Sequence, residues 1–537
     1  MQSRRQFLAR TGAAGAAVLA PQALMSGLAS AKAAPLLNSG RFAEGVASGD
    51  PAPHAITLWS RVAELESKGS VRVEVARDRS FTHVVARELI GTSPAKGGSV
   101  KARVTGLKAH EQYFYRFETK DGSSAVGRFR TAPPADSRQP LKFAFFSCQD
   151  WTHGFYNAHS VLAKEDDLDF VVCLGDYIYA ETYHTVAGGT GVRDDTIGSP
   201  GYGDVPLMAT TLEHYRDKYA LYRSDASLRA VHANAPMITI WDDHEVQDNY
   251  AGHAPGGGLP PEQGYSEARR SAAYKAFFES TATYAGRHDR IYRSLRFGKT
   301  MELFLLDQRR YRDDQPCGDQ VVPGCAELNQ ARDLLGSEQM RWIKRRLSAS
   351  KAAWKVVGNE VMIMPAKVTG GSYYQFDSWQ GYPVEREELL HHIDSKGIDD
   401  VVFVTGDLHT FIAGDVLREG DSGKPVALEF VGGSVTSQGL GEIDLNAGGG
   451  LVIPGNDANP HTDPALIGAL RSINPWVDQA DFDHHGYGVV KVSRGEFDVT
   501  LKRVPTIKQK TTQTLSDDGF RYRVERGQKS VKGVNGT

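Results

Sequence analysis

Between Gly40 and Pro134 apolar and polar positions alternate in short runs. Ala55-Ile56-Thr57-Leu58-Trp59, Val71-Arg72-Val73-Glu74-Val75 and Tyr113-Phe114-Tyr115-Arg116-Phe117 are examples. A period of two, broken by turn signals about every ten residues, predicts half-buried strands in an antiparallel β-sandwich. Thr131-Ala132-Pro133-Pro134 closes that stretch as a linker. From Leu141 the pattern changes to short apolar runs separated by longer helical or irregular stretches, which predicts an α/β layered core. The predicted strands are Lys142–Ser147, Phe170–Leu174, Met237–Trp241, Met301–Leu306, Trp354–Val357 and Val401–Thr405. Later runs at Ala427–Val431, Gly488–Val492 and Phe497–Leu501 complete a second sheet, and helices are predicted over Ser266–Ala285 and Ser337–Ser348. After Pro505 a tail rich in Lys, Gln, Thr and Gly is expected to be mobile or loosely docked.

Composition narrows the class of protein. The 537 residues suffice for two domains and a large core. Hydrophobic residues are 40% and charged residues 24%, as in soluble globular proteins. Lys plus Arg is 62 against 65 for Asp plus Glu, a net charge of -3. That balance argues against a nucleic-acid binder, whose footprint is basic, and leaves room for a small phosphorylated substrate. Ser3-Arg4-Arg5-Gln6-Phe7-Leu8 reads as a twin-arginine export motif, followed by the Ala/Gly/Leu-rich run Thr11–Leu28. Small residues at Ala29-Ser30-Ala31 and Ala31-Lys32-Ala33 place the mature start near Lys32 or Ala34, with no stable membrane anchor expected in the mature chain. Cys317 and Cys325 bracket a Gly/Pro-containing loop and are expected to pair in an oxidising compartment, whereas Cys173, inside a strand, reads as a buried hydrophobe.

Four of the apolar runs end in ligand-type residues. These are Cys148-Gln149-Asp150, Gly175-Asp176-Tyr177-Ile178-Tyr179, Asp242-Asp243-His244-Glu245 (continuing to Asp248-Asn249), and Asp407-Leu408-His409. Open α/β sheets bind ligands beyond the carboxyl ends of their strands, so these groups are expected in one crevice. Carboxylates crowded there repel one another unless cations neutralise them. Taken singly, an Asp at a strand end is a turn or a helix cap, and His244 or Tyr179 a packed side chain. Cys148 alone is a core residue, a nucleophile or a metal ligand. Recurrence at four strand ends is what points to metal. Thiolate and phenolate suit Fe(III), and Asp and Asn oxygens suit Ca(II), with Asp176 placed to bridge. Arg269 and Arg270, in the helix beginning near Ser266, offer a guanidinium fork to phosphate. Adjacent helical residues lie about 100° apart, so one of the two faces the site.

Together these stretches resemble the PhoD-like alkaline phosphatase family over nearly the whole chain. The resemblance rests on Phe42–Pro51 with Leu58-Trp59-Ser60-Arg61, on Ser147-Cys148-Gln149, Gly175–Tyr179, Trp241–Glu245, Arg269-Arg270 and Gly406–His409. Tyr311–Cys317, Cys325 and Leu335-Gly336 add to it. It implies an α/β protein, an N-terminal antiparallel β-sandwich followed by a four-layer α/β/β/α metallophosphoesterase core. The expected boundaries are a twin-arginine signal peptide over 1–33, the sandwich over 40–134, the catalytic domain over 140–505 and a tail over 506–537. Carried over by motif, Cys148, Asp176 and Tyr179 are implied iron ligands and Asp176, Asn249 and Asp407 calcium ligands. Asp243 and His409 are further candidates. His244 matches the histidine that touches the phosphoryl group or leaving oxygen in related phosphoesterases, and the choice between Arg269 and Arg270 stays open. Purple acid phosphatases share the Gly-Asp-x-x-Tyr element, but they carry an aspartate near position 148 and Gly-Asn-His at 242–244.

The expected function is an exported, metal-dependent alkaline phosphatase, periplasmic or secreted. It would use Fe(3+) and Ca(2+) to release phosphate from small or polymeric phosphate esters through a metal-activated oxygen nucleophile. Its expected partner besides substrate is the twin-arginine export machinery, and no sequence-specific nucleic-acid binding is expected. The alternatives are a phosphodiesterase or phospholipase D of the same fold and, in another class, a calcium-stabilised non-catalytic binding protein.

Overall fold

The alternating runs between Val46 and Arg130 pair into two antiparallel sheets. One orders Val46–Ala52, Ala55–Arg61 and Ser99–Thr105, and the other Val84–Thr92, Gly69–Ala76, Gln112–Glu118 and Gly127–Arg130. Ile56, Leu58, Val73, Val75, Val104, Tyr115 and Phe117 fill the space they enclose. The structure, a computed structural model, describes residues 34–201, 205–256, 265–284, 289–318, 322–368, 372–419, 422–442, 464–517 and 520–532. The export motif and the run that follows it lie outside the described residues.

Past Leu141 the apolar runs build two further sheets. In the first, β1 (Leu141–Phe146), β2 (Phe170–Cys173) and β3 (Met237–Thr239) lie parallel. The second contains β4 (Arg293–Phe297), β5 (Met301–Leu305), β6 (Trp354–Asn359), β7 (Val401–Thr405), β8 (Phe411–Glu419), β9 (Ser422–Gly432) and β10 (Val477–Asp481). Their order is β4-β5-β6-β7-β9-β8-β10, with β5, β6, β7 and β9 parallel. The chain then returns to the first sheet as β11 (His485–Val492), β12 (Glu496–Val504) and β13 (Arg521–Glu525), giving the order β3-β2-β1-β11-β12-β13. Phe497 of β12 meets Trp354 of β6 and Phe430 of β9 at ring-centre distances of 5.4 and 6.3 Å, so the sheets pack face to face. Helices Leu212–Tyr222, Ala226–Asn234 and Glu267–Ser280 join the first sheet's apolar cluster through Tyr215, Leu228 and Phe277. Gly336–Ala349 and Pro383–Ser395 join that of the second through Ile343 and Leu389. The result is the four-layer α/β/β/α core.

Three expectations differ from the structure. Gly488–Val492 and Phe497–Leu501 do not complete a second sheet with Ala427–Val431 but join the first sheet, where Gly488–Val492 pairs antiparallel with Leu141–Phe145. The helix capped by Ser266 ends at Ser280, because Thr281 is extended and Ala282 turns in to pack on Ala47 and Trp59. The stretch after Pro505 is not loosely docked: Ile507, Tyr522, Val524 and Val531 are buried, and β13 pairs antiparallel with β12. Apolar residues spaced two apart in Tyr522-Arg523-Val524 are enough to bury one face of an edge strand. Cys317 and Cys325 form a disulfide, and Cys173 is a buried free thiol. No helix among the described residues is long and apolar enough to cross a membrane.

Candidate metal centre

The carboxyl ends of β1, β2, β3 and β7 open on one edge of the core, and the backbone there is unusual. Cys148, Asp176, Asn249, Asp407 and His409 all adopt positive φ, at 57°, 52°, 50°, 62° and 57°. A side chain held in this left-handed region costs of order 1–3 kcal/mol unless its surroundings impose it. They do so here through the backbone. Cys148 N–H donates to the Gly175 carbonyl at 3.3 Å and Gln149 N–H to that of Asp176 at 3.1 Å, locking the first two loops together. Gly175 is needed at their junction, since its φ is 112° and a Cβ there would stand 2.4 Å from the Cβ of Asp242. The buried Glu245 carboxylate accepts from the N–H groups of Asp176, Tyr177 and Asp242 at 3.0, 2.7 and 2.8 Å, tying the second loop to the third.

This scaffold brings the predicted ligands together. One thiol, carboxylate or imidazole atom from each of Cys148, Asp176 and His409 falls within 4.8 Å of the others, and so do sets from Asp176, Asp243, His244 and from Asp242, Asp243, Asp407. Tyr179 Oη joins the first set, 3.3 Å from Asp176 Oδ2 and 3.1 Å from His409 Nε2. His409 Nδ1 lies 2.8 Å from the Gln438 carbonyl and donates to it, which directs Nε2 at the cluster as in metal-binding histidines. Asn249 follows the same turn, its N–H 2.6 Å from Asp243 Oδ2.

The electrostatics call for cations. Burial, then Asp243, pushes Asp176 well above the usual carboxylate range, and burial with Asp242 and Asp377 does the same to Asp407. Burial, then Asp176, raises the Cys148 thiol and the Tyr179 phenol well above their usual values. His409 is lowered by burial to about 4, which leaves its ring neutral and able to bind metal. Asp242 Oδ2 and Asp407 Oδ2 are buried without a hydrogen-bond partner. Orphaned acceptors beside a thiol, a phenol and a neutral imidazole fit hard and intermediate metal ions.

His244 occupies the rim of the second set. Its Nδ1 is 2.9 Å from Glu181 Oε2, and its Nε2 stands 3.8 Å from both Asp243 Oδ2 and Asp248 Oδ1. Burial works against its charge, but Asp243, Asp176 and Glu181 outweigh it and hold the imidazolium well above its usual range. Arg269 is the inward-facing member of the arginine pair. It is buried, with Nε on the Tyr215 hydroxyl at 2.9 Å, Nη1 on Gln247 Oε1 at 2.8 Å and Nη2 3.4 Å from Glu181 Oε1. Arg270 donates instead to the Gly252 carbonyl at 2.6 Å and pairs with Glu267 at 2.7 Å. The expected phosphate fork is thus committed to protein groups on both arginines, and Arg269 reaches the site through Glu181. Glu181 is not legible in the sequence as part of the site, since a lone Glu five residues after Asp176 carries no motif. Arg309, from the loop after β5, carries no local motif either and stands among the carboxylates of the third set.

Comparison with known proteins gives one consistent answer. The family described as PhoD-like phosphatase matches residues 143–501, and the PhoD-like phosphatase N-terminal domain matches residues 28–133. The chain is 37% identical over 465 residues to alkaline phosphatase D of Bacillus subtilis (strain 168), covering 82% of this chain and 77% of that relative. A solved structure of PhoD superposes with a TM-score of 0.80 at 31% identity over 94% of each chain. A purple acid phosphatase from yellow lupin (Lupinus luteus) seeds gives 0.54 at 13% identity over 86% of this chain and 72% of its own, a likeness of fold.

Proposed function

This chain belongs to the PhoD-like phosphatase family and is a phosphoric ester hydrolase, and we propose that its chemistry runs at the strand-end centre with Fe(III) and Ca(II) as metals. The observation that carries the reading is the convergence of Cys148, Asp176 and His409 from three separate loops, with Tyr179 closing the set. Cys148, Tyr179 and His409 supply the softer donors suited to Fe(III), Asp243, Asn249 and Asp407 the oxygens suited to Ca(II), and Asp176 serves both. Bound there, such ions polarise a phosphoryl oxygen and lower the pKa of nearby water. His244 does the protein's own work. Glu181 fixes its Nδ1 proton, so Nε2 faces the centre as a charged donor, able to bind a phosphoryl oxygen and to protonate the departing alkoxide. Arg269 and Gln247 hold that arrangement from behind. The twin-arginine motif at Ser3–Leu8 supports export of the folded protein to the periplasm or the medium, with metal installed beforehand.

The test pairs metal content with turnover. C148A and D176N should lose turnover by roughly 10- to 100-fold or more with an unchanged circular dichroism spectrum, and C148A should lose iron by elemental analysis. Full activity in C148A, or in protein carrying zinc alone, overturns the metal assignment. A panel of phosphomonoesters, nucleic-acid diesters and phospholipids then ranks the substrates.

A further inference from the structure

The segment Tyr311–Cys317 belongs to the sequence pattern yet contributes no ligand to the centre, and the residues just before it explain why it matters. Arg309 is fully buried. Its Nε donates to Asp242 Oδ1 at 2.5 Å and its Nη1 to Asp377 Oδ1 at 2.8 Å, while Nη2 stands 2.7 Å from Asp377 Oδ2. Nη2 also lies 3.4 Å from Asp243 Oδ1 and 3.5 Å from Asp407 Oδ1. Four carboxylates from three loops thus converge on one guanidinium. Three of them, Asp242, Asp243 and Asp407, are spaced closely enough to hold a metal ion themselves. Arg312 pairs with Asp377 from the far side at 3.1 Å, and the Gln315 side-chain amide bridges Asp377 Oδ1 and the Asn249 carbonyl at 2.5 and 2.7 Å. The loop is pinned in its turn, since the Gln308 N–H donates to Glu360 at 2.5 Å and the disulfide follows at Cys317.

We propose that Arg309 is a resident cation of the centre, a guanidinium standing where the carboxylates of Asp242, Asp243, Asp377 and Asp407 would otherwise gather a divalent ion. It divides the acids into two groups. Asp242 Oδ1 and Asp377 are paired with the protein's own cation, whereas Asp242 Oδ2, Asp243 and Asp407, which it leaves unpartnered or meets only at longer range, are left to face the metals. Arginine suits this task because its planar fork meets several carboxylates at once and stays charged when buried, whereas lysine offers a single point charge. The inference rests on the metal-centre reading above but not on its iron half. It concerns how many hard cations the acids can take.

The experiment compares the full-length wild type with R309A, R309K and R312M, stripped of metal and titrated with calcium chloride. Bound calcium per chain is read by calorimetry and elemental analysis, and thermal melting is followed in parallel. R309A should bind one more calcium per chain than the wild type, and its melting temperature should climb with calcium far more steeply. R309K, which keeps a positive charge, should retain the wild-type stoichiometry. R312M, which removes a cation that meets Asp377 and Tyr382 but none of the other three acids, should melt lower by an amount that calcium does not restore. The proposal is overturned if R309A binds the wild-type number of calcium ions, or if it stays unfolded in saturating calcium, since the ion then fails to replace the guanidinium. If the wild type binds no calcium at all while R309A still gains one site, the metal-centre reading fails and the role of Arg309 stands.

Discussion

His244 keeps its proton because four carboxylates, those of Asp243, Asp176, Glu181 and Asp248, surround it. With Asp243 and Asp176 proposed as metal ligands, Glu181, 2.9 Å from Nδ1, and Asp248, 3.8 Å from Nε2, are the acids left to hold the imidazolium. A raised pKa means the charged ring survives to higher pH, and activity that needs its proton falls as pH rises through that value. E181Q should therefore lower kcat by about 10²-fold, leave KM nearly unchanged and move the alkaline limb of the kcat profile to lower pH. An alkaline limb that stays in place in E181Q would show that Glu181 only packs. The sequence made Cys148, Asp176, Tyr179, Asp407 and His409 legible because an apolar strand followed at once by a ligand is a local pattern. Glu181 and Arg309 were hidden because their meaning lies in contacts 63 and 67 residues away along the chain. The positive φ of five candidate ligands is equally hidden, since it is imposed by neighbouring loops rather than by the residue itself.

At the scale of elements, the helix Glu267–Ser280 joins the two halves of the molecule. Its inner face carries Arg269 toward Glu181, and its C-terminal turn docks on the sandwich. There the Trp59 indole N–H donates to the Glu279 carbonyl at 2.8 Å, and Arg61 Nη2 donates to Ser280 Oγ at 2.7 Å. Gly49 lies in the same seam, where a Cβ would come within 2.7 Å of the carbonyl oxygens of both Ala282 and Met237. This gives the Phe42–Pro51 motif a physical reason that no periodicity in the sequence supplies: its backbone must touch the core directly. G49A should destabilise the protein by roughly 1–3 kcal/mol through overpacking, seen as a lower melting temperature with metal content unchanged. An unshifted melt would mean that the seam yields at no cost. Strand positions are legible in the sequence because apolar runs announce themselves. Helix ends and the docking of the tail are not, because both depend on what the far side of the sheet leaves uncovered.

For the molecule as a whole, the layered core exists to bring several loops to one edge, and the price is a crevice of buried acids. The crevice itself was foreseeable, since parallel strands must deliver their carboxyl ends to the same side. How the acids share cations was not. The balance can be read through the pH dependence of stability. In metal-free protein, Asp176 and Asp407 are held well above the usual carboxylate value of 3.8, so their folded forms bind protons more tightly than the unfolded chain does. Groups of that kind stabilise the fold fully below the unfolded pKa and lose this contribution as pH rises through the folded one. The opposing acids, Asp243 and Asp481, are lowered to about 2 and lose their contribution only at lower pH, whereas the buried His409 and His159, lowered to about 4 and about 3, begin to lose theirs as pH falls through the ordinary histidine value of 6.5. Metal-stripped protein should therefore become more stable as pH falls from about 8 to about 6.5, with the melting temperature rising across that window. Metal-loaded protein should show a much flatter profile there, because cations rather than protons then satisfy the same oxygens. If the stripped protein instead loses stability on acidification through this window, its central acids are already ionised without metal, and the site does not depend on cations for its charge balance.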